Sequence, residues 1–281
     1  MPSHGQHVGR MPDDAQPGLT HGDHKEVEEL SAPRAPIIYE VVRRQGEEEL
    51  DRPDGSLFWS GLAAGITIMA SVIAQAALRH RLPDVPGREV IACFGYSIGF
   101  LMVILGRMQL FTEQTIVTVL PVMAQPTWRK LWGTARLWAI VFVANMLGTL
   151  VAAGINVKLR VVSGTLLAAM LEVAGRALDK TPLELLMQAI PAGFIIASIA
   201  WIRAALSNGE FWIVLALTYT IAIGEFTHVV AGAAETFLLL FAGQIGPARA
   251  ATTVGLALIG NIIGGTGLFA LLAYAQVRQE L

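Results

Sequence analysis

His228 is the one histidine in the apolar part of this chain beyond His80, and it closes the segment Glu225-Phe226-Thr227-His228. A neutral imidazole donates a hydrogen bond and its cation gives up a proton, the two acts that handling a small weak acid requires. A similar segment, Leu110-Phe111-Thr112-Glu113, interrupts another apolar stretch 115 residues earlier. Arg107, Glu113, Glu225 and Glu235 place further ionisable groups around these two interruptions. Inside a membrane such groups are expensive and by default mark a solute pathway. On the residues alone the bland role of a buried histidine, a hydrogen bond between helices, stays open. Thr112 and Thr227 either line a pore or cap the half-helices that follow them.

A second echo runs beside the first. Asn145-x-x-Gly148 is matched by Asn261-x-x-Gly264 at nearly the same offset. These read as scaffold, because small residues admit close helix contact and an amide can bond a neighbouring helix or broken backbone. The glycines at 255, 260, 264 and 265 read in the same way, as a packing face. Cys93 is the only cysteine and reads as packing. His4-x-x-His7 and His21-x-x-His24 are too weakly framed to select a metal, so neither a metal nor a cofactor is expected.

The elements that must hold these residues are membrane helices. The chain is 54% hydrophobic and 15% charged, with a mean hydropathy of +0.55, outside the range of ordinary soluble domains. A crossing needs about 20 mostly apolar residues. Residues 57–78, 137–157, 185–202 and 251–275 carry no charge, while 91–106 and 211–224 each run into an interruption. The expectation is an all-α integral membrane protein of six transmembrane helices, the second and fifth broken. Polar breaks in corresponding helices of two halves point to a transport site near the bilayer midplane.

Residues 1–35 form a polar tail expected to be disordered, 36–54 a short amphipathic segment at the membrane surface, and 55–281 the channel domain. No apolar stretch follows Met1, so no cleavable signal peptide is expected. Six spans put both termini on one side, but nine Lys and Arg against eight do not choose that side. A net charge of −2 gives no basis for nucleic-acid binding. No nucleotide-binding or hydrolase signature occurs, so the chain is not expected to be an enzyme.

At these residues the chain resembles the formate/nitrite transporter family. The match rests on Leu110-Phe111-Thr112, on Phe226-x-His228 with Val230-Ala231, and on Gly260-Asn261-Ile262-Ile263-Gly264-Gly265. The resemblance implies an aquaporin-like fold with an inverted 3+3 repeat, a homopentamer, and a bacterial inner-membrane location with both termini cytoplasmic. It implies a substrate that is a small monovalent anion or its neutral acid, moved with a proton past His228, with Thr112 facing it. Thr227 and Glu113 would border that pore. Leu110 and Phe111 would form apolar constrictions, Tyr96 and Phe100 would lie nearer the cytoplasm, and Arg176 or Lys180 would attract anions at the outer vestibule. The chain departs from the family pattern at Thr227 and Gln109, where an acid is usual, at Gly232 and Gly193, where asparagine is usual, and at Glu113-Gln114. Two other functions compete: a pore for a small neutral solute, and a non-conducting scaffold or regulatory subunit.

Overall fold

The computed structural model describes residues 33–206 and 208–281. The two histidine pairs of the tail lie outside the described residues, and Ala35–Leu281 is one compact unit. Helix α1 (Ala35–Leu50) turns Tyr39, Val42 and Gly46 inward. Its other side carries ion pairs from Arg43 to Glu40 and Glu47, each at 2.7 Å. The buried face is therefore Tyr39 and Val42 rather than the Ile37-Ile38 end of the stripe, since Ile37 is exposed.

Among the described residues, five helices are long and apolar enough to cross a membrane. The first is α2 (Asp54–Thr67) continued by α3 (Met69–Arg81). The second is α4 (Arg88–Leu105), followed after a gap by the short α5 (Phe111–Val117) and α6 (Val119–Ala124). The third is α7 (Trp128–Lys158) and the fourth α9 (Pro182–Ala205), opened by a Thr181–Glu184 capping box with Pro182 at its first position. The fifth is α12 (Pro247–Ile262), which runs through a π-helical segment (Ile263–Ala270) into α13 (Leu271–Val277). Residues 211–224, expected as the first part of a broken fifth helix, lie in α10 (Glu210–Ile223), which at 14 residues is too short to cross alone. It is followed after a second gap by α11 (Val229–Phe241). One element is absent from the sequence reading: α8 (Gly164–Gly175), a short apolar helix packed on α3 and α11. It was hidden because 12 residues are too few to register as a span.

Both gaps open in the same way. Helix α4 ends with Met108 N–H bonding Val103 O and Arg107 N–H bonding Ile104 O, while α10 ends with Phe226 on Ile221 and Glu225 on Ala222. This is the two-bond cap that normally wants glycine in the left-handed region. Here Arg107 (φ 54°) and Glu225 (φ 52°) occupy it instead. The repeat therefore pairs Arg107 with Glu225 and Leu110 with His228, positions 118 apart. The Phe-Thr echo at 115 is out of register by three residues and does not mark equivalent positions. Sequence similarity aligned two Phe-Thr pairs by chance, whereas the hydrogen bonds fix the true pairing.

The first and last helices meet at one end, where the Tyr39 and Tyr274 rings lie 5.9 Å apart. Trp59, Trp128, Trp132 and Trp212 are all exposed within the opening turns of helices that start at that end. Exposed indoles in such a ring suit the boundary between hydrocarbon and water.

Candidate functional site

The two gaps bring their following helices to one point. The imidazole Nε2 of His228 lies 2.7 Å from Thr112 Oγ1, and both side chains are buried. His228 is also the N-cap of α11, its Nδ1 accepting from Ala231 N–H at 3.2 Å. An accepting Nδ1 assigns the ring proton to Nε2, which donates to Thr112. The Phe100 ring stands edge-on to the imidazole with centroids 4.9 Å apart. Neither threonine caps a half-helix. Leu110 holds the N-cap position of α5 without a side-chain bond, and at α11 the capping side chain is His228 itself.

The two asparagines hold the gaps in place. Asn145 Oδ1 accepts from Phe111 N–H at 2.9 Å, and its Nδ2 donates to Gly61 O at 2.8 Å and Gln109 O at 2.9 Å. Asn261 repeats this with Val229 N–H at 2.8 Å, Ala189 O at 2.8 Å and Thr227 O at 3.0 Å. Each amide thus satisfies two buried backbone groups that a gap leaves open, one N–H and one carbonyl, and ties them to a carbonyl of a neighbouring helix, Gly61 of α2 or Ala189 of α9. Gly148 and Gly264, one turn on, sit against the backbone of Leu62 and Ile190. Scaffold is the role the geometry gives all four residues. Gly260 and Gly265 also pack closely, but a side chain at Gly255 would meet nothing within 4 Å, so that glycine is not part of the face.

Two cavities flank this point. The far-side cavity, about 90 Å³, is bordered by His228, Thr227, Tyr96, Arg176, Lys180 and Glu235. Arg176 is ion-paired to Glu89, and Lys180 Nζ donates to Glu225 O at 2.5 Å. Burial pulls the Lys180 ammonium below the usual lysine range, and the Glu225 carboxylate opposes that shift. Tyr96 was expected on the cytoplasmic side, yet it lines this cavity with Arg176 and Lys180, at the end away from α1. Its place follows from α4 running toward α1 from Arg88, so that Tyr96 precedes Phe100 and both precede the gap.

The second cavity, about 430 Å³, opens beside α1 and is bordered by Glu49, Arg107, Gln109, Glu113, Arg203 and Glu210. Glu113 faces this cavity and is not beside His228. Arg203 bonds Glu113 Oε1 at 2.8 Å and Glu210 Oε2 at 3.0 Å, and Arg107 reaches Glu210 at 3.1 Å. Gln114 donates to Gln109 at 2.8 Å, and Gln109 to Glu49 at 3.0 Å. Phe111 turns to α7, edge-on to Trp138 and Phe142 at 5.6 and 5.3 Å, and borders neither cavity. Leu110 is fully buried between the two. Sequence reasoning read Gln114 only as part of a departure from the family pattern and did not place Arg203 or Glu210 at the site. The available signal was a charge in the last turn of a helix that is uncharged from Leu185 to Ile202.

A model of the formate/nitrite transporter family matches residues 36–275. The chain is 36% identical over 258 residues to the inner membrane protein YfdC of Escherichia coli (strain K12), covering 91% of this chain and 83% of that one. Two solved structures share its fold at 16% and 17% identity. A pentameric formate channel with formate bound gives a TM-score of 0.68 over 80% of this chain and 98% of its own. An FNT family ion channel gives 0.71 over 86% and 98%. With two broken helices meeting at one histidine and a family match across the whole helical unit, this chain belongs to the formate/nitrite transporter family.

Proposed function

We propose that the chain is a channel or transporter for small monovalent weak-acid anions, formate, nitrite or a related acid, each moved with a proton past His228. The observation that carries this is the 2.7 Å contact between His228 and Thr112, reached from a cavity bordered by Arg176 and Lys180. In this reading the α4–α6 and α10–α11 segments are the second and fifth of six spans, related to one another within an inverted 3+3 repeat. The matching caps at Arg107 and Glu225 and the matching asparagine bonds support that layout. The assembly is a homopentamer in a bacterial inner membrane with both termini cytoplasmic. The likeness to a pentameric formate channel supports the assembly, and the likeness to an inner membrane protein supports the location.

The sequence of events follows from solvation. Basic groups at the far-side cavity gather the anion. A bare anion pays heavily to leave water for an apolar passage, and low dielectric favours its protonated form. His228 hydrogen-bonds the substrate through Nε2–H, in exchange for its bond to Thr112, and the neutral acid passes Leu110 and Phe100. Uptake of monocarboxylates, nitrite and hydrosulfide into proteoliposomes, with internal pH recorded, tests the reading. Saturable acidifying flux of one acid is expected, reduced at least tenfold or so in His228→Ala, the scale of a lost proton-handling group. Flux that moves no protons in either protein would point instead to a neutral-solute pore.

A further inference from the structure

The far-side cavity holds a carboxyl that the mechanism above does not use. Glu235 lies on α11, seven residues beyond His228, which puts the two on one helix face about 10 Å apart along the axis. Both border the same cavity, together with Arg176 and Lys180. Glu235 is half-buried, and among the described residues no hydrogen bond or ion pair holds its carboxyl.

His228 is poorly placed to store the proton itself. Its Nδ1 already accepts from Ala231 N–H and its Nε2 already carries the ring proton. A second proton would have to face the Ala231 donor, and the helix cap would be lost.

The neighbouring groups leave Glu235 as the remaining acid on the path. Arg176 is paired to Glu89, Lys180 bonds the Glu225 carbonyl, and Arg249 on α12 is held by the carbonyls of Leu178 and Lys180. On α8, Glu172 pairs with Arg79 of α3. Lys158 of α7 borders a separate surface hollow beside Phe241. Glu225 sits at the exposed mouth, and Tyr96 is the only other ionisable side chain bordering the cavity.

We propose that Glu235 carries the proton that converts the arriving anion into its neutral acid. Resting on the transport reading above, the step balances simply. The O–H bond of the Glu235 carboxyl breaks, its proton passes to an oxygen of the anion, and the neutral acid moves on to His228. The resulting Glu235 carboxylate then takes a proton from hydronium of the far-side solution, which leaves as water. One anion and one proton are transferred in each cycle, and His228 remains a hydrogen-bond donor throughout.

The test uses purified protein in proteoliposomes with formate, acetate and nitrite as probes and internal pH as readout. Glu235→Gln should slow acidifying flux by about tenfold or more and flatten its dependence on external pH. Glu235→Asp, which keeps the carboxyl, should restore most of the rate with a displaced pH profile. A Glu235→Gln protein that keeps the wild-type rate and profile overturns the inference, as does an Asp variant whose profile is unmoved. Wild-type flux that is lost in His228→Ala yet indifferent to Glu235→Gln overturns this inference alone. No flux of any probe through the wild-type protein overturns the transport reading and this inference with it.

Discussion

At the scale of single residues, the two asparagines matter more than their chemistry suggests. An amide is the one short side chain that offers an acceptor and two donors in a fixed plane. Asn145 and Asn261 each satisfy one N–H and one carbonyl at a gap and give the second donor to a carbonyl of a neighbouring helix. Leaving a buried polar group unpaired costs about 1–3 kcal/mol. Asn261→Ala is thus expected to destabilise the protein by several kcal/mol, seen as a large drop in thermal midpoint and loss of monodisperse protein in detergent. Asn261→Asp should be nearly as damaging, because it turns an acceptor toward carbonyls that need a donor. A midpoint within a degree or two of wild type for either variant would remove the clamp role.

At the scale of elements, the spacing between helices is set by what is missing from their surfaces. Gly148 brings α7 onto the α2 backbone at Leu62, and Gly264 brings the π-helical segment onto α9 at Ile190 and Phe194. An added Cβ at Gly264 would lie 2.8 Å from Phe194 N, in a place that backbone cannot vacate. Gly264→Ala should cost about 1–3 kcal/mol through overpacking. Gly255→Ala, on the same continuous helix but facing open space, should be neutral or gain up to about 1 kcal/mol from helix propensity. Thermal unfolding of the two variants side by side separates packing from propensity. Equal effects would show that helix propensity, not contact, governs both positions.

At the scale of the molecule, α1 ties the membrane unit together at the end where the first and last helices meet. Its outer face is a charge lattice in which Arg43 and Arg44 hold the Glu40 carboxyl down at about 2, against an ordinary 4.5. A carboxylate whose folded value is depressed contributes stability that is present above its unfolded value and lost as the pH falls through the folded one. Helix α1 should therefore lose stability progressively between about pH 4.5 and about pH 2. Glu40 is partly exposed, so solvent and salt screen the effect and it should be modest. Unfolding followed across that window should slope downward with falling pH in the wild type and less steeply in Glu40→Gln. Identical slopes would mean that the Glu40 pairs contribute nothing to the stability of α1.

The sequence by itself determined the membrane class, most of the spans and the two interruptions, and it singled out His228, Asn145 and Asn261. Those features are local: an uncharged run long enough to cross, a polar break within it, an amide in an apolar helix. It could not determine the register of the repeat. That is fixed by hydrogen bonds between segments far apart in the chain, and a chance Phe-Thr match suggested a pairing three residues off. It left open whether Thr112 and Thr227 cap the half-helices, and it misjudged the side of the molecule on which Tyr96 lies and the direction Phe111 faces. Each of these depends on where a helix turns its face once its neighbours are in place. Only the tertiary structure buried Arg203 between Glu113 and Glu210, and only it brought Glu235 into the cavity of His228. Charge and spacing are written along the chain, whereas enclosure is a property of several helices packed together.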